Sequence, residues 1–441
     1  MQQQPRLPLW FLVANPALMI AAFAIGTFVG SGRRVQLPEP QRSALEIVYG
    51  EVMNSYVERP DEHEVVEAAI SGMVSALDEY SRYIPPAQVA RYDEASRGQY
   101  SGIGAVMTEL GGEVVVHFPF EGSPAAAAGL LPGDVLFAVD DEPIDTQEER
   151  AKIASLVRGP ADTPVTLSIR RGDQELQVTV VRGDVQRSCV KWAHFVDEAR
   201  GLGYVHLSDF HPTASQQLFD AIQALEQQRP LRGLIIDLRY NGGGSLEQCL
   251  AIARAFLSEG VIATHHRRSA KVQVYEADAA AVRWPQLPLT LLVNEGSASA
   301  SEVLSGALQD HERAVVVGTR THGKGYVNTV YAWPDHDFKL KLTTGSYRTP
   351  AGRIIERNHG TSTNPADDEN GGIAPDVAAP VSEDDRARLD QLLHRIEVPA
   401  PYREGFGALA AKFDLKVAAP PRPAEDEQLR AAIGAIEQRL R

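Results

Sequence analysis

The sequence runs to 441 residues, 44% apolar and 23% charged, with a formal net charge of −15. That length exceeds one ordinary domain, and the balance is that of folded chains rather than disordered ones. The acidity argues against a nucleic-acid partner, because phosphate binding relies on a basic surface. Cys189 and Cys249 are the only cysteines. They are too few for a disulfide scaffold or a zinc cage, and two buried thiols are favoured over one disulfide. Leu7 to Gly32 carries no charge and is flanked by Arg6 and by Arg33-Arg34. At about 1.5 Å per residue such a run crosses a bilayer core of about 30 Å. Residues 1–36 therefore read as a signal-anchor, a cleaved secretory signal being the alternative. Either way the remainder is exported.

A Pro-containing linker, Leu37 to Pro40, leads into residues 37–97. There Leu45, Val48, Val52 and Tyr56, then Val65, Val66, Ala69, Ile70, Met73 and Leu77, recur at helical spacing. Residues 98–184 change to short β-rich runs broken by glycines: 102–106, 113–116, 134–139, 165–169 and 176–180. Residues 185–380 alternate strands and helices. The strand patterns at 203–207, 234–238 and 289–293 each precede a helix, the first two spanning 214–228 and 246–257. Continuous apolar strands joined by helices predict a mostly parallel sheet. Glu356 to Gly372 is polar and Gly/Asn/Asp-rich and is expected to be a mobile loop. Residues 381–441 form a charged helical tail, split by the Pro-rich stretch Ala418 to Pro423.

The third strand of the α/β region runs into Gly296-Ser297-Ala298-Ser299-Ala300-Ser301-Glu302. Small residues at a strand-to-helix turn let a backbone approach closely, and helix-terminal amides beside a serine can hold an oxyanion. Taken alone, Ser299-x-x-Glu302 reads as a capping box, and a serine hydroxyl is a weak nucleophile without a base. The strand 314–318 leads to His322-Gly323-Lys324-Gly325. A lysine must lose about 3 pKa units, each costing about 1.4 kcal/mol, before it serves as a general base, so by itself Lys324 reads as a loop lysine. His322 is the rival base and needs no such tuning. Asp237-Leu238-Arg239-Tyr240-Asn241-Gly242-Gly243-Gly244 ends another strand at the edge where ligands collect in open α/β sheets, but it lacks the GK[ST] ending of a phosphate loop. In the β-rich region Gly102-Ile103-Gly104 opens a strand whose amides suit capture of a peptide carboxylate, with a small β-barrel as the plain alternative. No histidine spacing matches a metal site.

Together these motifs resemble the carboxy-terminal processing proteases, PDZ-containing serine peptidases. The likeness runs from about Leu45 to Val377. It includes Leu77-Asp78-Glu79-Tyr80-Ser81, Gly122-Ser123-Pro124-Ala125, Pro132-Gly133-Asp134, Asp237-Leu238-Arg239, the Ser299 turn, Gly323-Lys324-Gly325 and Gly372-Ile373-Ala374-Pro375-Asp376. The resemblance implies a multidomain α/β and β chain. Its parts are a membrane anchor, a helical segment, a PDZ-like β-barrel domain, an α/β protease core of the ClpP/crotonase type and a helical C-terminal tail. It implies Ser299 as nucleophile, Lys324 as general base, and an oxyanion hole from the amides of Ala300 and Gly243. Peptide binding would fall to Gly102, Ile103, Gly104 and Arg158. No cofactor and no metal are expected. The expected partners are protein or peptide substrates with free C-termini and, through the N-terminal segment, the membrane; a homo-oligomer or an adaptor is left open.

Two positions depart from the family pattern. Asn328 stands where a glutamine usually orients the lysine, and His322 replaces an aromatic. The leading expectation is an endopeptidase of the bacterial periplasm or cell envelope, anchored in the inner membrane. The alternative is a catalytically weak or inactive membrane-bound PDZ scaffold, and the third reading is a Ser/His hydrolase.

Overall fold

The structure is a computed structural model describing residues 36–268, 270–357, 371–394, 397–415 and 419–440. The apolar run 7–32 lies outside these residues. Among the described residues no helix is long and apolar enough to cross a membrane. The chain divides between Met73 and Val74 into two compact units. In the first, the helix Glu39–Ser55 starts at prolines, and Tyr49 donates to Glu62 at 2.7 Å. A second helix is Glu62–Ser75.

In the second unit, the β-rich region folds as a six-stranded antiparallel sheet. Its ends are drawn together where Gln99–Gly102 pairs with Gly183–Gln186. Ile103, Leu130, Leu136, Val165, Leu167 and Ile169 form its core. The Pro132-Gly133-Asp134 motif is structural here. Asp134 is buried, accepts the Leu131 amide at 2.9 Å, and receives the Arg171 fork at 2.7 Å from two nitrogens.

The α/β region is built on a second six-stranded sheet. Leu202–Leu207, Gly233–Asp237, Leu289–Val293, Ala314–Gly318 and Val377–Ala378 run parallel, and Val190–Asp197 is antiparallel on one edge. Side chains alternate between two apolar layers, as a pleated strand requires. Val205, Leu234, Ile236 and Leu291 face the helices Ala214–Gln228, Leu246–Phe256 and Ala300–Asp310. Tyr204, Ile235, Leu292 and Val317 face the opposite way, against Leu429, Ala432 and Ile436 of the helix Glu427–Arg439. The last helix of the chain is thus part of the core. The preceding helix, Arg403–Phe413, lays Phe406, Leu409 and Ala410 on Val115 and Phe118 of the β-rich domain.

A further five-stranded sheet was not legible in the sequence. Its long strand Lys339–Arg348 pairs with Arg82–Ile84, Tyr326–Ala332 and Val261–Arg267, and Gln273–Glu276 extends it. His265 lies within one of its strands, buried against Tyr347.

The last helix is held by a fully buried arginine. Arg239 bonds Asp237 at 2.6 Å and, on its other side, Asp426 at 2.7 Å and Gln428 at 3.1 Å. Asp426 also caps its helix, accepting the Leu429 amide at 3.0 Å. Removing one partner of a buried pair leaves charge uncompensated, at a cost of about 3–5 kcal/mol. Asp426→Ala should therefore lower unfolding free energy by about 3 kcal/mol, the low end of that range because Asp237 remains, measured by urea denaturation.

Candidate active site

The loops that follow the parallel strands meet at their carboxyl edge, and they are stitched by side-chain bonds to backbone. Asn241 Nδ2 donates to the Leu207 carbonyl at 2.8 Å, while the Asn241 carbonyl accepts the Ser301 hydroxyl at 2.8 Å and the Ala298 amide at 3.0 Å. Ser297 donates its hydroxyl to the Leu238 carbonyl at 2.8 Å. Asn294 Oδ1 accepts the Tyr240 and Gly296 amides. These bonds force a sharp elbow at Ser299, whose φ of 55° and ψ of −112° lie in a region L-residues avoid. A Cβ on Gly243, itself at φ +98°, would sit 2.7 Å from the Ala298 carbonyl and 2.9 Å from the Ala300 nitrogen. Only glycine lets the two turns approach this closely.

The capping-box geometry is present, and it does more than end a helix. Glu302, fully buried, accepts the Ser299 amide at 2.8 Å. The same carboxylate accepts the Thr321 hydroxyl at 2.6 Å, the Gly323 amide at 2.6 Å and the Lys324 amide at 2.8 Å. Glu356 then accepts the next two amides, Gly325 at 2.7 Å and Tyr326 at 2.9 Å. Four consecutive N–H groups around Lys324 are thus received by two carboxylates. Burial raises the Glu302 carboxyl and pushes Glu356 up to about 7, against the pull of these donors. Burial lowers the Lys324 ammonium, while Glu356, Glu302 and Glu79 oppose that shift. The polar stretch Glu356 to Gly372 reads in sequence as a mobile loop. Residues 358–370 of that loop lie outside the described residues, but Glu356 itself is half-buried and tied down.

The Leu77–Ser81 motif reaches the same place. Asp78 accepts the amides of Tyr80 and Ser81 at 2.8 and 2.7 Å and the Thr343 hydroxyl at 3.2 Å. This fixes Tyr80, and the Lys324 ammonium lies 4.7 Å from the centre of its ring. Asn328 is directly across the hairpin from Thr343 and donates to its hydroxyl at 3.0 Å.

One cavity of about 580 Å³ is lined by Ser299, Ala300, Gly243, Lys324 and Asn328, so the structure gathers all five. The Ala300 amide stands at the first helical position, where no intrahelical acceptor exists. The Gly243 amide, assigned to an oxyanion from the sequence, instead donates to Asn241 Oδ1 at 2.9 Å. The turn is short enough for the asparagine to close onto its own loop, an Asx-type arrangement, and an oxyanion role requires that bond to break. The His322 amide donates to the Ser297 carbonyl at 3.0 Å, and His322 does not line this cavity among the described residues. The histidine that does is His211, with its ring nitrogen 3.3 Å from Asp209. Sequence reading missed both; their one signal was a position just past a parallel strand, at the ligand-collecting edge.

In the β-rich domain, Ile103, Gly104 and Arg158 line a groove of about 90 Å³, and the Arg158 guanidinium lies 4.8 Å from the Tyr100 ring centre. Gly102 belongs to the Gln99–Gly102 strand leading into it. Among the described residues no group of three or more His, Cys, Asp or Glu side chains is placed to hold a metal ion. Cys189 and Cys249 are free and buried.

A model of Peptidase family S41 matches residues 201–379, and a PDZ domain model matches 121–171. A carboxy-terminal-processing protease of Bartonella bacilliformis is 34% identical over 315 residues, covering 70% of this chain and 71% of that protein. The chain belongs to the carboxy-terminal-processing protease family. It is a serine peptidase with a PDZ domain. The solved structure of a photosystem II D1 C-terminal processing protease is 28% identical, with a TM-score of 0.43, covering 76% of this chain and 86% of that one.

A backbone outlier of the Ser299 kind costs about 1–3 kcal/mol, which glycine avoids at an unfolded-state cost of about 0.4–1 kcal/mol. Ser299→Gly is therefore expected to be about 1 kcal/mol more stable than Ser299→Ala, since both lack the hydroxyl and only alanine keeps the strain. Paired denaturant midpoints read this; equal midpoints would mean the elbow is unstrained.

Proposed function

We propose that this protein is an exported endopeptidase that binds free C-termini through its PDZ groove and cleaves by acyl transfer with a Ser299/Lys324 dyad. The observation that carries this reading is that Ser299, on its strained elbow, and Lys324, held by four bonded amides and depressed by burial, line one cavity. In the reaction the neutral Lys324 amine takes the Ser299 proton as Oγ attacks the scissile carbonyl. The Ala300 amide donates to the developing oxyanion. Lys324 then gives the proton to the departing amine, and water resolves the acyl-enzyme by the same route. The tether and inner-membrane location rest on the apolar run 7–32.

Three contacts support a second reading, a weak or inactive membrane-bound PDZ scaffold. Lys324 stacks on Tyr80, Asn328 bonds Thr343, and the Gly243 amide bonds Asn241. Cleavage of a disordered peptide with a free apolar C-terminus separates the readings. Ser299→Ala and Lys324→Ala are each expected to lower kcat/KM by about 10⁴-fold or more, with His322→Phe retaining activity. Retention in Lys324→Ala with loss in His322→Phe or His211→Phe would hand the role of base to histidine. A wild type that binds the peptide without cutting it establishes the scaffold. Asn328→Gln should preserve or raise the rate; a drop of about tenfold or more would mean the site is built around the shorter amide.

The pH profile offers an independent check. Ionised Glu356 stabilises the Lys324 ammonium and so raises its pKa. Glu356→Gln keeps an acceptor for the two amides but removes the charge, so the limb on which activity rises with pH should move to lower pH. An unmoved limb would separate Glu356 from the base.

A further inference from the structure

A second cavity, of about 290 Å³, adjoins the Ser299 cleft and shares Asp209, His211 and Gly242 with it. Gly242 is thus a common wall. The floor contains His206, 2% exposed, whose ring has the Arg239 backbone beside it and no side-chain hydrogen-bond partner among the described residues. Buried polar atoms are nearly always satisfied, so a buried imidazole with no side-chain partner in the floor of a cavity leaves room for an occupant to bond it. Burial keeps this imidazole neutral, lowering it to about 4, so the positive charge of the cavity comes from other groups.

The rim sets the sign of that occupant. Arg187 and Lys191 line the cavity, and among the described residues neither has a carboxylate within 4.0 Å. Asp209 is the acidic group beside them, and it faces His211 at 3.3 Å. Arg239 also reaches this cavity but is already committed to Asp237 and Asp426. Burial depresses the Lys191 ammonium, a cost that an incoming anion would offset.

We infer that this second cavity is a carboxylate subsite of the Ser299 cleft, taking an acidic group of the bound peptide between Arg187, Lys191 and His206. The inference rests on the peptidase reading for the cleft itself. The carboxylate belongs either to an Asp or Glu side chain near the scissile bond or to the peptide's own C-terminus. The shared residues Asp209, His211 and Gly242 make this cavity the neighbour of a peptide held in the cleft.

The test uses the full chain as Ser299→Ala and one disordered peptide in which a single Glu, or Gln in control, is placed at each position in turn. Each peptide is made with a free and an amidated terminus, and binding is read by fluorescence anisotropy at low and high salt. Glu is expected to exceed Gln by about tenfold or more at one or two positions, less so at high salt, with the ratio falling to about twofold in Arg187→Ala/Lys191→Ala. A preference that instead follows the free terminus and is lost in that variant assigns the subsite to the main-chain carboxylate. Equal binding of all peptides, or a preference that survives Arg187→Ala/Lys191→Ala, overturns the inference and leaves a water-filled cavity. Wild-type kcat/KM on the same peptides keeps the two readings apart. No cleavage of any peptide removes the peptidase reading, while the binding ratio still decides the subsite.

Discussion

The site depends on where two carboxylates put their lone pairs. Glu302 and Glu356 receive the amides of Gly323, Lys324, Gly325 and Tyr326 in succession, and Glu302 also takes the Ser299 amide. Backbone N–H groups in a loop would ordinarily turn to water, and their direction would then be loose. Here each is fixed by a carboxyl oxygen, and such bonds strengthen further when the carboxyl is ionised. The elbow and the lysine loop come from different strand ends, yet a single glutamate side chain registers one against the other.

That clamp sets two opposing demands on Lys324. Burial favours a neutral amine, whereas the nearby carboxylates favour the ammonium. The raised carboxyl of Glu356 softens the conflict, because a group near 7 is only partly ionised at neutral pH. The aromatic face of Tyr80 gives the ammonium a further resting place, held by the Asp78 turn. Lysine charge, loop geometry and a motif far upstream in sequence are therefore one coupled arrangement.

Much of the fold was legible because its signals are local. The fully buried parallel strands read as apolar runs, and Ala214–Gln228 carries its helical period openly. The hairpin Tyr326–Ala332 with Lys339–Arg348 did not, since its strands are half-exposed and carry Asn328, Thr329 and Thr343 at inward or paired positions. Ser299 and Lys324 could be named only through a pattern spread over the chain, because locally one is a helix cap and the other a loop cation. Glu356 and His206 had no sequence signal as site residues, and His211 had only its place just past a parallel strand. The role of Glu356 arises from contacts across long separations, such as the 30 residues between Tyr326 and Glu356. The Gly243 amide shows a related limit: a glycine loop advertises free donors, but not which side chain already holds them.

The helix Glu427–Arg439 closes one whole face of the parallel sheet, whose first buried strand begins more than 200 residues earlier at Leu202. A ribosome makes that helix only after all five parallel strands. Until it arrives, Tyr204, Ile235, Leu292 and Val317 have no cover, and the buried Arg239 has only half its counter-charge. In a chain made from its N-terminus the PDZ strands come before the core, and the second apolar layer of the core stays uncovered until this helix has been made. Chain order thus leaves one apolar face of the sheet without its cover while the stretch between Ala378 and Glu427 is being made.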